Sequence, residues 1–153
     1  MSTRGRVRVG DIIRIPLRDG GYGYGHVLEE PLVAFLDHRD GGETSAFEDL
    51  VAKRPAFTIW VSNRPMRDGA WPVVGHIEPD RDALRPPTFF KQDPISRKLT
   101  VTYDGGSEVP ATAEECVDLE RAAVWEPEHV AERLADHFDR RPNVWVESLR
   151  MRV

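Results

Sequence analysis

The sequence predicts an α+β fold: a strongly curved, mainly antiparallel β-sheet or partial barrel, with two C-terminal helices packed on it and a final strand. Three patterns carry that expectation. Between Gly10 and Tyr103, short apolar runs follow the two-residue period of strands and are separated by Gly, Pro and Asp. From Thr112 the spacing becomes helical, and from Val144 alternation returns. Strands first and helices afterwards indicate α+β architecture, whereas a doubly wound fold would alternate them. The 153 residues are expected to form one domain, 1–153, with 1–8 as a flexible N-terminal tail. A chain of this length buries roughly 70% of the surface it exposes when unfolded.

The first strand is read from Ile13, Ile15 and Leu17 alternating with Arg14, Pro16 and Arg18. Asp19-Gly20 suits a tight hairpin turn, and the return strand alternates Tyr22 and Tyr24 with Gly23 and Gly25. One of its faces is therefore bare, which marks a bend or the close approach of another group. Leu32–Leu36 is an unbroken apolar run, as in a strand buried on both faces. His38–Ser45 reads as a loop around Gly41-Gly42. Phe57, Ile59 and Val61 give the next strand. Trp71–Ile77 gives another, which Pro72 confines to an edge or to its first residues. Glu78–Pro87 is a long loop, and Leu99, Val101 and Tyr103 form a strand ended by Asp104-Gly105-Gly106.

Thr112 and Glu115 make a capping-box pattern, and Cys116, Leu119 and Ala123 follow as the inward stripe of the first helix. Pro127 suits the first turn of the second. There Val130, Leu134 and Phe138 recur on one face while Glu128, Glu132 and Asp136 recur on another. Arg140, Arg141 and Pro142 end it. Trp145, Leu149 and Met151 then share one face of the expected last strand.

The chain carries a net charge of −5, distributed unevenly. Residues 1–18 hold five arginines against Asp11, whereas residues 112–139 hold nine carboxylates against Arg121 and Arg133. Such a C-terminal field repels nucleic acid and attracts a basic partner. The same spacing also describes a solvated helix face. Cys116 is the only cysteine, so no internal disulfide forms and nothing requires an oxidising compartment. No apolar run resembles a signal peptide or is long enough to span a bilayer, so a cytoplasmic location is expected.

No catalytic set emerges. The five histidines (His26, His38, His76, His129 and His137) show no metal-ligand spacing, and His129 and His137 lie about 12 Å apart along one helix. No metal or other cofactor is implied. Cys116 near a helix start could be a nucleophile beside a histidine, or a small core residue; Glu114, Glu115 and Asp118 would raise its pKa, against activation. Gly21-x-Gly23-x-Gly25 precedes a strand where a phosphate cradle would need a helix. A nucleic-acid-binding sheet module remains an alternative, with Arg4, Arg6 and Arg8 on the backbone and Tyr22 and Tyr24 stacking bases.

Gly10-Asp11-Ile12-Ile13 with Ile15-Pro16-Leu17, Tyr22-Gly23-Tyr24-Gly25, Trp71-Pro72-Val73-Val74-Gly75-His76 and Phe89-Phe90-Lys91-Gln92-Asp93 form a set of blocks in fixed order. Together they resemble the immunity protein 26 family of bacterial polymorphic toxin systems. Glu115-Cys116, Leu119-Glu120 and Ala122–Pro127, followed by Val130, Arg133 and Leu134, extend the similarity over about residues 9–135. The resemblance implies a small cytoplasmic protein, encoded beside a toxin, that protects its producer by binding that toxin domain without chemistry of its own. It supplies no catalytic residues. Its motif positions Gly10, Asp11, Tyr22, Gly23, Gly25, Trp71, Pro72, Gly75, Lys91, Gln92, Asp93, Trp125 and Pro127 are of types that maintain a fold. The candidate partner-facing residues are Glu114, Asp118, Glu128, Glu132 and Asp136, an acidic rim that would speed encounter around an apolar centre.

Overall fold

The computed structural model describes residues 7–103 and 106–152. Along the chain run β1 (Asp11–Pro16), β2 (Tyr22–Val27), β3 (Leu32–Phe35), helix α1 (Glu48–Ala52), β4 (Phe57–Val61), helix α2 (Arg64–Asp68) and β5 (Val73–His76). Then follow β6 (Phe89–Gln92), β7 (Leu99–Thr102), β8 (Glu108–Pro110), helix α3 (Ala113–Cys116), β9 (Glu120–Arg121), β10 (Val124–Trp125), helix α4 (Pro127–Phe138) and helix α5 (Val144–Ser148). The strands divide between two sheets, ordered β10-β4-β3-β2-β1-β5 and β8-β7-β6-β9, and among the described residues neither closes into a barrel. Pairing is antiparallel except where β10 joins β4 and β9 joins β6.

The opening hairpin forms, with Ile13 opposite Gly25 and Ile15 opposite Gly23. Its bare face is where α4 docks: a Cβ on Gly23 would stand 3.2 Å from Leu134 Cδ1. Ile13, Ile15, Val33, Phe35, Ile59 and Trp71 meet Val130 and Leu134 in one core. Each of those two helix residues contributes about 2 kcal/mol by burial. On the opposite face Ile12, Tyr24 and Leu36 pack on Phe47, which precedes α1. Leu28, Leu32 and Ala34 join Phe89 there, and the rings of Trp60 and Phe89, 4.6 Å apart, join the two sheets. Strand β3 is thus covered on both sides, and β5 with Pro72 before it is an edge strand.

Two expectations are corrected. The helix expected after Thr112 is a single turn. Its capping box forms as anticipated, with the Glu115 N–H donating to Thr112 Oγ1 and the Thr112 N–H to Glu115 Oε1. Beyond Cys116, parallel pairing with β6 and β4 overrides the helical period and turns the chain into β9 and β10. Cys116 and Leu119 nevertheless share a core with Phe90 and Val101. The expected final strand is α5: the buried Asn143 caps it, Oδ1 accepting from the N–H groups of Trp145 (3.1 Å) and Val146 (3.0 Å). Trp145 and Leu149 share a face in a strand and, four apart, in a helix as well, so their spacing did not discriminate. Helices α1 and α2 were not anticipated; α2 has Pro65 in its first turn and stops at Gly69, whose φ is 87°.

Of the expected tail, residues 1–6, including Arg4 and Arg6, lie outside the described residues. Val7 already packs on the core, and the Arg8 N–H donates to Asp11 Oδ2 at 2.8 Å.

Candidate functional site

The five acidic candidates fall into two groups. Glu128, Glu132 and Asp136 project from α4, and each is bonded within the chain. Glu128 accepts from Arg64 Nη2 (2.5 Å), Glu132 from the Trp145 indole N–H (2.6 Å), and Asp136 from Arg18 (2.7 Å) and Asn143 (2.9 Å). Burial acts to raise the Asp136 pKa, but the Arg18 and Asn143 hydrogen bonds and the arginine charges outweigh it and lower the value. Arg64 and Arg18 neutralise two of these charges, so this helix face is far less acidic than its sequence. Glu114 and Asp118, around α3, are exposed and make no hydrogen bond or ion pair among the described residues. Asp118 borders a cavity of about 240 Å³ walled by Val117, Trp125 and Leu149.

The motif positions are occupied by internal contacts. Gly10 has φ 97°, and a Cβ there would meet His76 at 2.8 Å. Asp11 is buried and accepts from His76 Nδ1–H at 2.8 Å. Tyr22 lies 4.6 Å beneath the Arg14 guanidinium, Gly75 gives room to the Phe47 ring, and the Pro72 carbonyl accepts from the Arg14 N–H. Trp71 is buried edge-on to Phe35. Lys91 pairs with Glu108. The Gln92 amide holds the C-terminal segment like a strand partner, donating to the Arg152 carbonyl (2.6 Å) and accepting from its N–H (2.8 Å). Asp93 accepts from the Ile95 and Ser96 N–H groups, which lowers its pKa. Pro127 opens α4, and Trp125 lies 4.9 Å beneath Arg133, which also covers Phe57 and forks onto Glu120.

His38–Ser45 is a loop, as its sequence predicts, and within it Asp40 is the centre of a half-buried network. Tyr24 O–H (2.6 Å), the Gly42 N–H (2.7 Å), His38 Nε2–H (2.9 Å) and the Thr44 hydroxyl all donate to its carboxylate. Burial opposes ionisation of Asp40, yet these donors together drive its pKa well below the carboxylate range, while burial and the Asp40 bond push Tyr24 well above the phenol range. The Asp-Gly-Gly-x-Thr spacing was the available signal, since Asp carboxylates accept from backbone two residues on.

Cys116 is fully buried, and burial followed by the neighbouring Glu115 charge raises its pKa. The histidines each have a separate partner: His26 the Ile77 carbonyl, His38 Asp40, His76 Asp11, His129 the stacked Trp145 ring and His137 Asp37. Among the described residues no three His, Cys, Asp or Glu side chains gather as a metal site. Tyr24 is fully buried, so it cannot stack on a base. Among the described residues no helix is long and apolar enough to cross a membrane.

No curated protein and no solved structure matches the chain. The model of one family, described as immunity protein 26, matches residues 8–99. That span holds the blocks from Gly10 to Asp93 and stops before the C-terminal block around Trp125. Since the match covers more than half of the sequence, this chain belongs to the immunity protein 26 family.

Proposed function

We propose that this protein is a cytoplasmic, single-domain immunity protein that binds a cognate bacterial toxin domain stoichiometrically and neutralises it, making and breaking no bonds itself. The observation that carries this is the family match over residues 8–99. The inaccessible thiol and the separately bonded histidines are consistent with a role by contact. Binding would follow the usual division of labour, in which charge sets encounter rate and a few buried anchors set lifetime. The acidic rim of Glu114, Asp118, Glu128, Glu132 and Asp136 would supply the charge. Its uncompensated part is Glu114, Asp118 and Glu132, because Arg64 and Arg18 neutralise Glu128 and Asp136 whereas Glu132 is held by a neutral indole N–H.

The test is capture and inhibition of the toxin domain encoded beside this gene, expected to saturate at one copy each. Failure to bind or inhibit it would overturn the proposal. Replacing Glu114 and Asp118 with lysine is expected to slow association about 10-fold at low salt and to flatten its salt dependence. Unchanged rates at every salt concentration would remove this rim. The reversal of Glu128, Glu132 and Asp136 is a poorer test, since it also breaks contacts to Arg64, Trp145 and Arg18.

A further inference from the structure

A second cavity lies wholly within the family-matched span. It opens between the outer face of β2, β3 and β4, the segment after α1 and the Glu78–Pro87 loop, and has a volume of about 180 Å³. Its wall is mainly apolar, with Leu28, Leu36 and Val51 prominent. A dry cavity of about 150 Å³ accepts a benzene ring, so this one, at about 180 Å³, has room for one aromatic side chain.

Three polar features define what would enter. His26 lines the cavity and is 95% buried, at 5% exposure. Its Nε2–H donates to the Ile77 carbonyl at 2.7 Å, and in the tautomer that this bond selects Nδ1 is the acceptor. Among the described residues Nδ1 has no partner. Lys53 and Arg85 also line the cavity, are exposed, and pair with no carboxylate among the described residues, although acids outnumber bases in the chain. The site therefore combines an apolar slot, an acceptor nitrogen on a buried ring and two unneutralised cations.

We infer that this cavity is the anchor pocket for the toxin domain: it receives a tyrosine or tryptophan side chain whose O–H or N–H donates to His26 Nδ1, beside a carboxylate that pairs with Lys53 and Arg85. The inference rests on the immunity function proposed above and deepens it by naming the contact. Aromatic residues seated in desolvated pockets are the usual hot spots of protein interfaces. Tyrosine and tryptophan pair an apolar body with one polar tip, matching a slot with one acceptor nitrogen.

The test uses the intact chain, the toxin domain encoded by the neighbouring gene, and 4-methylphenol and indole as probes of the cavity. Ala83 lines the mouth and is exposed, so Ala83→Trp covers the opening without entering the core. Lys53→Glu with Arg85→Glu is a second, independent variant on exposed positions. The expected results are probe-induced shifts of the His26, Leu28 and Leu36 resonances that vanish in Ala83→Trp. Toxin affinity is expected to fall about 30-fold or more in Ala83→Trp and about 10-fold in the charge variant. Wild-type affinity in both variants would overturn the anchor pocket while leaving the immunity function standing, even if the small probes still bind. Absence of toxin binding by the wild type would overturn the immunity function and this inference with it.

Discussion

Asp40 is ionised under conditions where most carboxyl groups would be protonated, because four donors converge on it. A folded-state pKa below the unfolded value of about 3.9 has a definite consequence for stability. The contribution is complete above about pH 5 and is lost as the pH falls below about 4 toward the folded value. Asp40→Asn is therefore expected to cost about 1–3 kcal/mol at neutral pH, since one amide cannot accept from every donor. It should also flatten the acid limb of a urea-unfolding series between pH 5 and pH 2. An acid limb identical to wild type would show that another carboxylate controls it. Gly25 is the second position where one atom decides the outcome. A Cβ there would lie 2.8 Å from Val33 Cγ1 and 3.1 Å from Ile13 Cγ1, both in the closed core of the first sheet. Gly25→Ala is expected to destabilise by about 1–3 kcal/mol through overpacking, read as a lowered urea midpoint.

At the scale of elements, Asn143 separates the helix found at α5 from the strand expected there. In a helix it satisfies the Trp145 and Val146 N–H groups and ties the cap to α4 through Asp136. Asn143→Ala should cost about 1–2 kcal/mol in thermal unfolding, whereas the same change before an exposed strand would cost little. The hairpin, β3, β4, β7 and α4 were legible because their apolar spacing and turn residues agree with the tertiary structure. Strands β9 and β10 were not, because two residues carry no period and their pairing partners lie far back in sequence, in β6 and β4. The short helices α1, α2 and α5 have five residues each, too few to show a stripe. Of the candidate site, sequence located the acidic side chains but could not show that Glu128, Glu132 and Asp136 are bonded internally. Nor could it bring His26 beside Lys53 and Arg85, which three separate segments supply.

Across the whole molecule, the two sheets are fastened by the Trp60–Phe89 contact and by Arg133. The Arg133 side chain leaves α4, which packs on the first sheet, and forks onto Glu120 of β9 in the second, at 3.1 and 2.6 Å. It also lies 3.8 Å over the Phe57 ring, with only 11% of its side chain exposed. A planar guanidinium suits this place, and lysine can neither fork nor stack in the same way. Arg133→Ala should destabilise by about 2 kcal/mol or more, since Glu120 is left partly buried without its partner. A double-mutant cycle with Glu120→Gln should return a coupling of about 1 kcal/mol or more, and a value near zero would reduce the pair to incidental contact. Because the fastening spans both sheets, hydrogen exchange gives the sharper test. Arg133→Ala should speed exchange at Phe90 and Val101 in the second sheet in step with Val130 and Leu134 of α4, as one cooperative unit. Faster exchange confined to α4 would mean that the sheets open separately and that Arg133 does not couple them.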